Sequence, residues 1–148
     1  MNKTILRNIH LVNWYGFSNR TIPVSENLTL ISGENECGKS TILDAIKYAY
    51  TGDTQFNKAT SGYNTGVGKR NLVSYTRCLV DASAGIYARP ADKIPVVYTH
   101  IALEYFDQIN ENPFVLGVVI QISEVRIGML WTEKELQIFH LYMRKAHL

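Results

Sequence analysis

Gly33-Glu34-Asn35-Glu36-Cys37-Gly38-Lys39-Ser40-Thr41 sets two glycines five positions apart and follows the second at once with a lysine and a hydroxyl. That spacing suits one task, the binding of a nucleotide's phosphates. Gly33 and Gly38 allow backbone angles and a close approach that a side chain would forbid, so successive main-chain amides can curl around phosphate oxygens. Lys39 then reaches the β- and γ-phosphates as a point charge. Ser40 sets its hydroxyl on Mg²⁺, and a helix beginning here turns its positive end toward the anion. The expected ligands are ATP and Mg²⁺, held by Gly33, Glu34, Asn35, Glu36, Cys37, Gly38, Lys39, Ser40 and Thr41, with Ser40 as the metal-facing group. A chance match to this pattern in a chain of this length has a probability of roughly one in two hundred.

Such a loop works only between a strand that delivers it and a helix that receives it. Leu28-Thr29-Leu30-Ile31-Ser32 reads as a short buried strand running into the loop, and Ser40 to Tyr50 reads as a helix carrying Ile42, Leu43, Ile46, Ala49 and Tyr50. Upstream, Thr4 to Asn13 alternates as a strand, Trp14-Tyr15-Gly16-Phe17 forms an aromatic turn, and Asn19 to Val24 returns as the second arm of a hairpin. Downstream, Thr51 to Lys69 is rich in Gly, Asn, Thr and Ser and reads as a long surface segment, followed by a short helix within Asn71 to Leu79.

The last third alternates strongly. Val97, Thr99, Ile101, Leu103 and Tyr105 share one face of a strand. Phe114, Leu116, Val118, Ile120 and Ile122 share one face of the next, with Asp107 to Pro113 as the polar connection of an antiparallel hairpin. Val125, Ile127, Met129 and Trp131 keep the same period, and Thr132-Glu133-Lys134-Glu135 has the form of a capping box, which predicts a helix from there onward with Leu136, Phe139 and Met143 on one stripe.

Composition bounds the function. A length of 148 residues with 46% hydrophobic content suits one core and one domain. A net charge of +2 is too mild to argue for nucleic acid. Cys37 and Cys78 stand far apart, outside any C-x-x-C, and the four histidines form no i, i+4 pair, so neither a disulfide framework nor a zinc site is indicated. No apolar run approaches a signal segment or a membrane span, and the expectation is a cytoplasmic protein with no membrane partner.

Residues well beyond the loop carry a resemblance. Ile9 to Phe17, the Thr21-Ile22-Pro23 return, Leu28 to Ser32, the loop itself, Asp44-Ala45-Ile46 and Thr51-Gly52 resemble the N-terminal half of the head domain of structural-maintenance-of-chromosomes ATPases and their relatives in repair and phage defence. Phe56-Asn57-Lys58-Ala59, Arg70 to Tyr75, Gly85-Ile86-Tyr87 and Tyr98 to Glu104 are similar to the condensin-like subunit of the Wadjet plasmid-defence system and to MukB-type condensins. Glu36 stands where many members carry Gly. The resemblance implies an α/β phosphate-loop NTPase fold: the N-terminal lobe of an ATP-binding-cassette-type head with an added antiparallel sheet, residues 1–148 forming a partial AAA/ABC-type ATP-binding domain. It further implies a DNA-associated ATPase of plasmid or phage defence or chromosome maintenance, a C-terminal half-head or second head as protein partner, and DNA as the polymer acted on.

The signature sequence and the acidic Walker B strand that such heads place in their C-terminal half are missing here. Asp107 follows a strand but precedes Gln108-Ile109, and reads as a turn residue. Phosphoryl transfer needs a group that positions water as well as a cradle, so the residues argue for binding, and for hydrolysis only if another half supplies that group. Two other classes fit the loop: a stand-alone or truncated nucleotide-binding module that never hydrolyses, and a small phosphotransferase, for which no basic acceptor lid is identifiable. The resemblance implies that the turn from Asn13 to Phe17 lies near the nucleotide and borders the adenine base, while Trp14 and Phe17 fit equally as plain core or hairpin packing. Cys37 reads as a small space-filling residue, Lys69 and Arg70 as solvated charges, and Gln121 takes no assigned role.

Overall fold

The structure is a computed structural model, and it describes residues 3–34, 37–56, 70–127 and 130–144. Its frame is a five-stranded antiparallel sheet in the order β2-β1-β5-β6-β7. β1 (Thr4–Trp14) and β2 (Phe17–Pro23) form the first hairpin, and β5 (Val96–Asp107), β6 (Asn112–Ile127) and β7 (Leu130–Arg144) form a meander. Between the two halves come α1 (Lys39–Thr51), α2 (Leu72–Thr76) and a small hairpin of β3 (Leu79–Asp81) with β4 (Ile86–Tyr87). The hairpin with its aromatic turn, both helices and the β5–β6 pairing follow the expected plan, and β3–β4 is an addition to it.

Strand alternation selects one face of the sheet for the core. Ile9 and Leu11 from β1, Val97, Thr99, Ile101 and Leu103 from β5, and Val118, Ile120 and Ile122 from β6 are all buried. The register sets Ile9 opposite Leu103, Leu11 opposite Ile101, and Ile101 opposite Val118, so the apolar positions stack across neighbouring strands. α1 lies on this face through Thr41, Asp44, Ala45 and Tyr48, which recur at helical spacing and are its buried residues. α2 adds Leu72 and Tyr75. Trp14 is wholly buried among aromatic rings, with centroids 4.7 Å from Tyr75, 5.6 Å from Phe56 and 6.2 Å from Tyr48. Burial of each such side chain contributes on the order of 1.5–3 kcal/mol.

Several polar groups inside this core are matched, while Asn112 Oδ1 is buried without a hydrogen-bond partner among the described residues. The Tyr75 hydroxyl donates to Asp44 Oδ2 at 2.6 Å, tying α2 to α1. Burial first, and donation to Asp44 second, push the Tyr75 phenol far above its ordinary range, so it remains a donor at any working pH. Arg77, 2% exposed, donates to the carbonyls of Arg89, Ile94 and Pro95, and Arg89 donates to those of Tyr15 and Thr76. These two guanidiniums fasten the connection between β4 and β5, where regular hydrogen bonding is sparse. Asp107 is the turn residue expected of it: its carboxylate accepts from the amides of Ile109 and Asn110.

Two expected elements take another form. The capping box at Thr132 opens no helix, because residues 130–144 pair antiparallel with β6 and set Leu136 opposite Ile122, Ile138 opposite Ile120 and Tyr142 opposite Leu116. Leu136, Phe139 and Met143 fit a helical stripe, but Leu136, Ile138 and Tyr142 fall on alternate positions, and the long ladder offered by β6 decides for the strand. Leu28 to Ser32 is not a strand either. A strand exists through its ladder, and none of the described strands pairs with this segment, which leaves Leu28 79% and Leu30 82% exposed. All pairings among the described strands are antiparallel. No helix among the described residues is long and apolar enough to cross a membrane.

Two stability tests follow from these contacts. Tyr75→Phe removes a donor to the buried Asp44 carboxylate and is expected to cost about 1–3 kcal/mol in urea unfolding. On the other face of the sheet, Glu104 accepts from His10 at 2.9 Å and from Asn8 at 3.1 Å, and the His10 bond first of all holds its carboxyl below the ordinary value. A depressed native pKa stabilises above the unfolded value of about 4.3 and ceases to as pH falls through the native one. Glu104→Gln is therefore expected to lower the melting temperature at pH 7 by about 1–3 °C and to shrink that gap toward pH 3, followed by circular dichroism.

Candidate phosphate-binding site

Gly38 is the N-cap of α1 and takes a left-handed conformation, φ 98° and ψ 8°, that disfavours any residue with a side chain. Its carbonyl accepts the first helical bond, from Ile42 N at 3.1 Å. No side chain caps the helix, so the first amides of α1 keep their capacity for an external acceptor. A Cβ on Gly38 would stand 2.9 Å from Cζ of Phe17, closer than real carbon contacts allow. A Cβ on Gly33 would meet the Cys37 sulfur at 2.5 Å. Both glycines of the pattern thus sit where the curled loop has no room for a methyl group.

Lys39 lies across this loop. Its Nζ donates to the carbonyls of Gly33 at 2.6 Å and Glu34 at 2.5 Å and lies 3.7 Å from Cys37 Sγ. The ammonium thereby links the two ends of the loop. An incoming phosphate competes for it on favourable terms, since a charge-assisted bond to an anion is stronger than one to a neutral carbonyl. Gly33, Glu34, Cys37 and Ser40 are exposed, Gly38 and Lys39 half-buried. Thr41 is instead 3% exposed, and its carbonyl accepts the Trp14 indole N–H at 2.9 Å. Asn35 and Glu36 lie outside the described residues, as do Lys69 and the expected surface segment from 57 to 69. Arg70 sits beside the core: its guanidinium is 5.7 Å from the Tyr15 ring centroid and 3.5 Å from the Tyr75 hydroxyl.

The residues present fit a triphosphate. The described residues of the loop supply the two conformationally free glycines, the ammonium and the uncapped helix start that anion binding by main-chain amides requires. Mg²⁺, if bound with the nucleotide, would neutralise phosphate charge, and Ser40, exposed at the start of α1, is the hydroxyl expected to hold it. Sequence reasoning did not find that the Trp14–Phe17 turn reaches the loop through Gly38 and Thr41. These partners lie more than twenty positions apart, and only the fold brings them together.

Fold and site together define a mixed α/β phosphate-loop protein. The chain belongs to the AAA domain family, whose model matches residues 8–110, most of its length. It is also similar to the retron Ec83 probable ATPase of Escherichia coli, 39% identical over 66 residues. The match spans 43% of this chain and 12% of that relative's length.

The Gly38 geometry carries its own test. Gly38→Ala adds a side chain at a left-handed position and against the Phe17 ring, and is expected to cost at least about 1–2 kcal/mol in chemical unfolding. An unchanged midpoint would mean that the loop relaxes freely.

Proposed function

We propose that residues 33–41 bind ATP with Mg²⁺, and that the chain serves as the N-terminal lobe of an ATP-binding-cassette-type head in a DNA-associated ATPase like those of structural maintenance of chromosomes. The single observation that carries the nucleotide reading is the loop itself: a left-handed Gly38 at an uncapped helix start, with the Lys39 ammonium laid across the Gly33 and Glu34 carbonyls. Membership of the AAA domain family and the similarity to a protein named a probable ATPase support the same reading.

The two-part reading draws on the segment before the loop. Leu28 and Leu30 are exposed in a segment that pairs with none of the described strands, as expected of a would-be strand whose neighbours come from a further lobe. In this proposal a C-terminal half-head supplies the acidic strand and signature sequence, hydrolysis follows only on its arrival, and a second head and DNA are the larger partners. Action in plasmid or phage defence or in chromosome maintenance and kinship with Wadjet or MukB-type subunits belong to the same proposal and rest on the sequence resemblance, and a cytoplasmic setting joins it on the cysteine usage and apolar-run lengths of the sequence. The chain alone then binds nucleotide without turning it over.

Calorimetric titration with ATP and Mg²⁺ tests the core of it. The unaltered chain is expected to bind, and Lys39→Ala to weaken binding at least about tenfold through loss of a charge-assisted contact. Titration of the folded, unaltered chain without any heat of binding would overturn the reading.

A further inference from the structure

We propose that Phe17 is a positioning residue for the phosphate-binding loop, its ring holding the left-handed turn at Gly38 that aims the first amides of α1 at the phosphates. The inference rests on the nucleotide reading above and concerns what sets the loop's shape. Glycine is chosen at 38 because it can adopt φ 98°, but the same freedom lets it adopt many other angles, so something outside the residue must fix it. The Phe17 ring is in place to do so: Cζ, Cε2 and Cε1 lie 2.9, 3.3 and 3.8 Å from the position a Gly38 Cβ would take.

The ring is itself mounted on a rigid support. Asn13 and Tyr15, neither of them glycine, both take left-handed angles, φ 51° and φ 49°. Such residues persist only where their surroundings over-determine them. Four hydrogen bonds do that here. Asn13 Nδ2 donates to the Tyr98 carbonyl at 2.9 Å, and Thr99 Oγ1 donates to the Asn13 carbonyl at 3.0 Å. Tyr15 N donates to the Tyr75 carbonyl at 2.7 Å, and Arg89 donates to the Tyr15 carbonyl at 3.0 Å. The turn thus takes its position from β5, α2 and the segment before β5, not from the loop. It passes that position on at two points, Phe17 on Gly38 and the Trp14 indole on the Thr41 carbonyl, which bracket Lys39 and Ser40.

Trp14 is too deep in the core to vary cleanly, whereas Phe17 is half-buried and open to substitution. Phe17→Ala removes the ring. Phe17→Tyr keeps its bulk and packing but adds a hydroxyl at Cζ, the atom nearest Gly38, and serves should the alanine variant fold poorly. Each chain is titrated with Mg²⁺ and ATP, and with Mg²⁺ and inorganic tripolyphosphate read by displacement of ATP. Both variants are expected to weaken ATP and tripolyphosphate by the same factor, about tenfold, since a displaced cradle is felt by phosphate whatever it is attached to. The ligand-free melting temperature of Phe17→Tyr is expected to stay near that of the unaltered chain. Wild-type affinity in both variants would overturn the inference alone. So would a loss confined to ATP, which would make the ring a contact of the base or ribose. Failure of the unaltered chain to bind ATP would instead remove the nucleotide reading, and this inference with it.

Discussion

An anion can be held by main-chain amides only if several of them are made to point at one place, and in this protein that demand converges on the left-handed turn at Gly38. One residue later the chain is helical, and α1 contributes both the direction of its first amides and the partial positive charge of its start. One residue beyond the cap, Lys39 folds back over the Gly33 and Glu34 carbonyls. Any other angle at Gly38 would swing the helix start away from Lys39's reach of the loop, so the chemistry of the site depends on a single backbone conformation.

That conformation is embedded in the fold through α1. The helix presents Thr41, Asp44, Ala45 and Tyr48 to the sheet, and Asp44 accepts from the Tyr75 hydroxyl, which joins α1 to α2 below the surface. Asn71 and Ser74 close a reciprocal capping box on α2, fixing where that short helix begins and hence where Tyr75 falls. Five residues of helix would not hold themselves in water. Packing of Leu72 and Tyr75 against the sheet, and the carbonyl contacts of Arg77 and Arg89 just after it, keep α2 in place. The guanidinium of Arg89 then reaches the Tyr15 carbonyl, so the segment that stabilises α2 also stabilises the turn beside the loop.

What could be read without the structure divides along the range of the forces involved. The first hairpin, α1 and the β5–β6 pairing were legible because each is written within a short window, as alternation from Val97 to Tyr105 or apolar spacing from Ile42 to Tyr50, although the residues α1 buries are Thr41, Asp44, Ala45 and Tyr48 rather than Leu43 and Tyr50. β7 was not, because Thr132 to Glu135 satisfies a local helix-start rule while the deciding interaction is a ladder with Asn112–Ile127. The contact of Phe17 with Gly38 leaves no local trace at all, as an aromatic residue in a hairpin turn reads the same whether it meets a loop or a core. Leu28 to Ser32 shows the opposite case. Its residues carry the strand preference, and the partner that would turn preference into structure is not among the described strands.

The same segment makes the support of the site one-sided. From the sheet side, α1 is packed, hydrogen-bonded through Thr41 and Asp44, and capped by a ring at Gly38. Away from it, Leu43 and Tyr50, one heptad apart on the helix, are 57% and 56% exposed, and the run leading into the loop shows Leu28 and Leu30 to solvent. Binding and turnover ask different things of such a unit. Phosphates need only the curl, the ammonium and the helix start, all of which the sheet side supports. Hydrolysis also needs a group that orients water against the γ-phosphate, and in the proposed two-part reading the apolar flank that pairs with none of the described strands is where the further lobe would bring it. In the proposed two-part reading the chain would hold nucleotide before hydrolysis became possible, and completion of the flank would be the step that controls turnover.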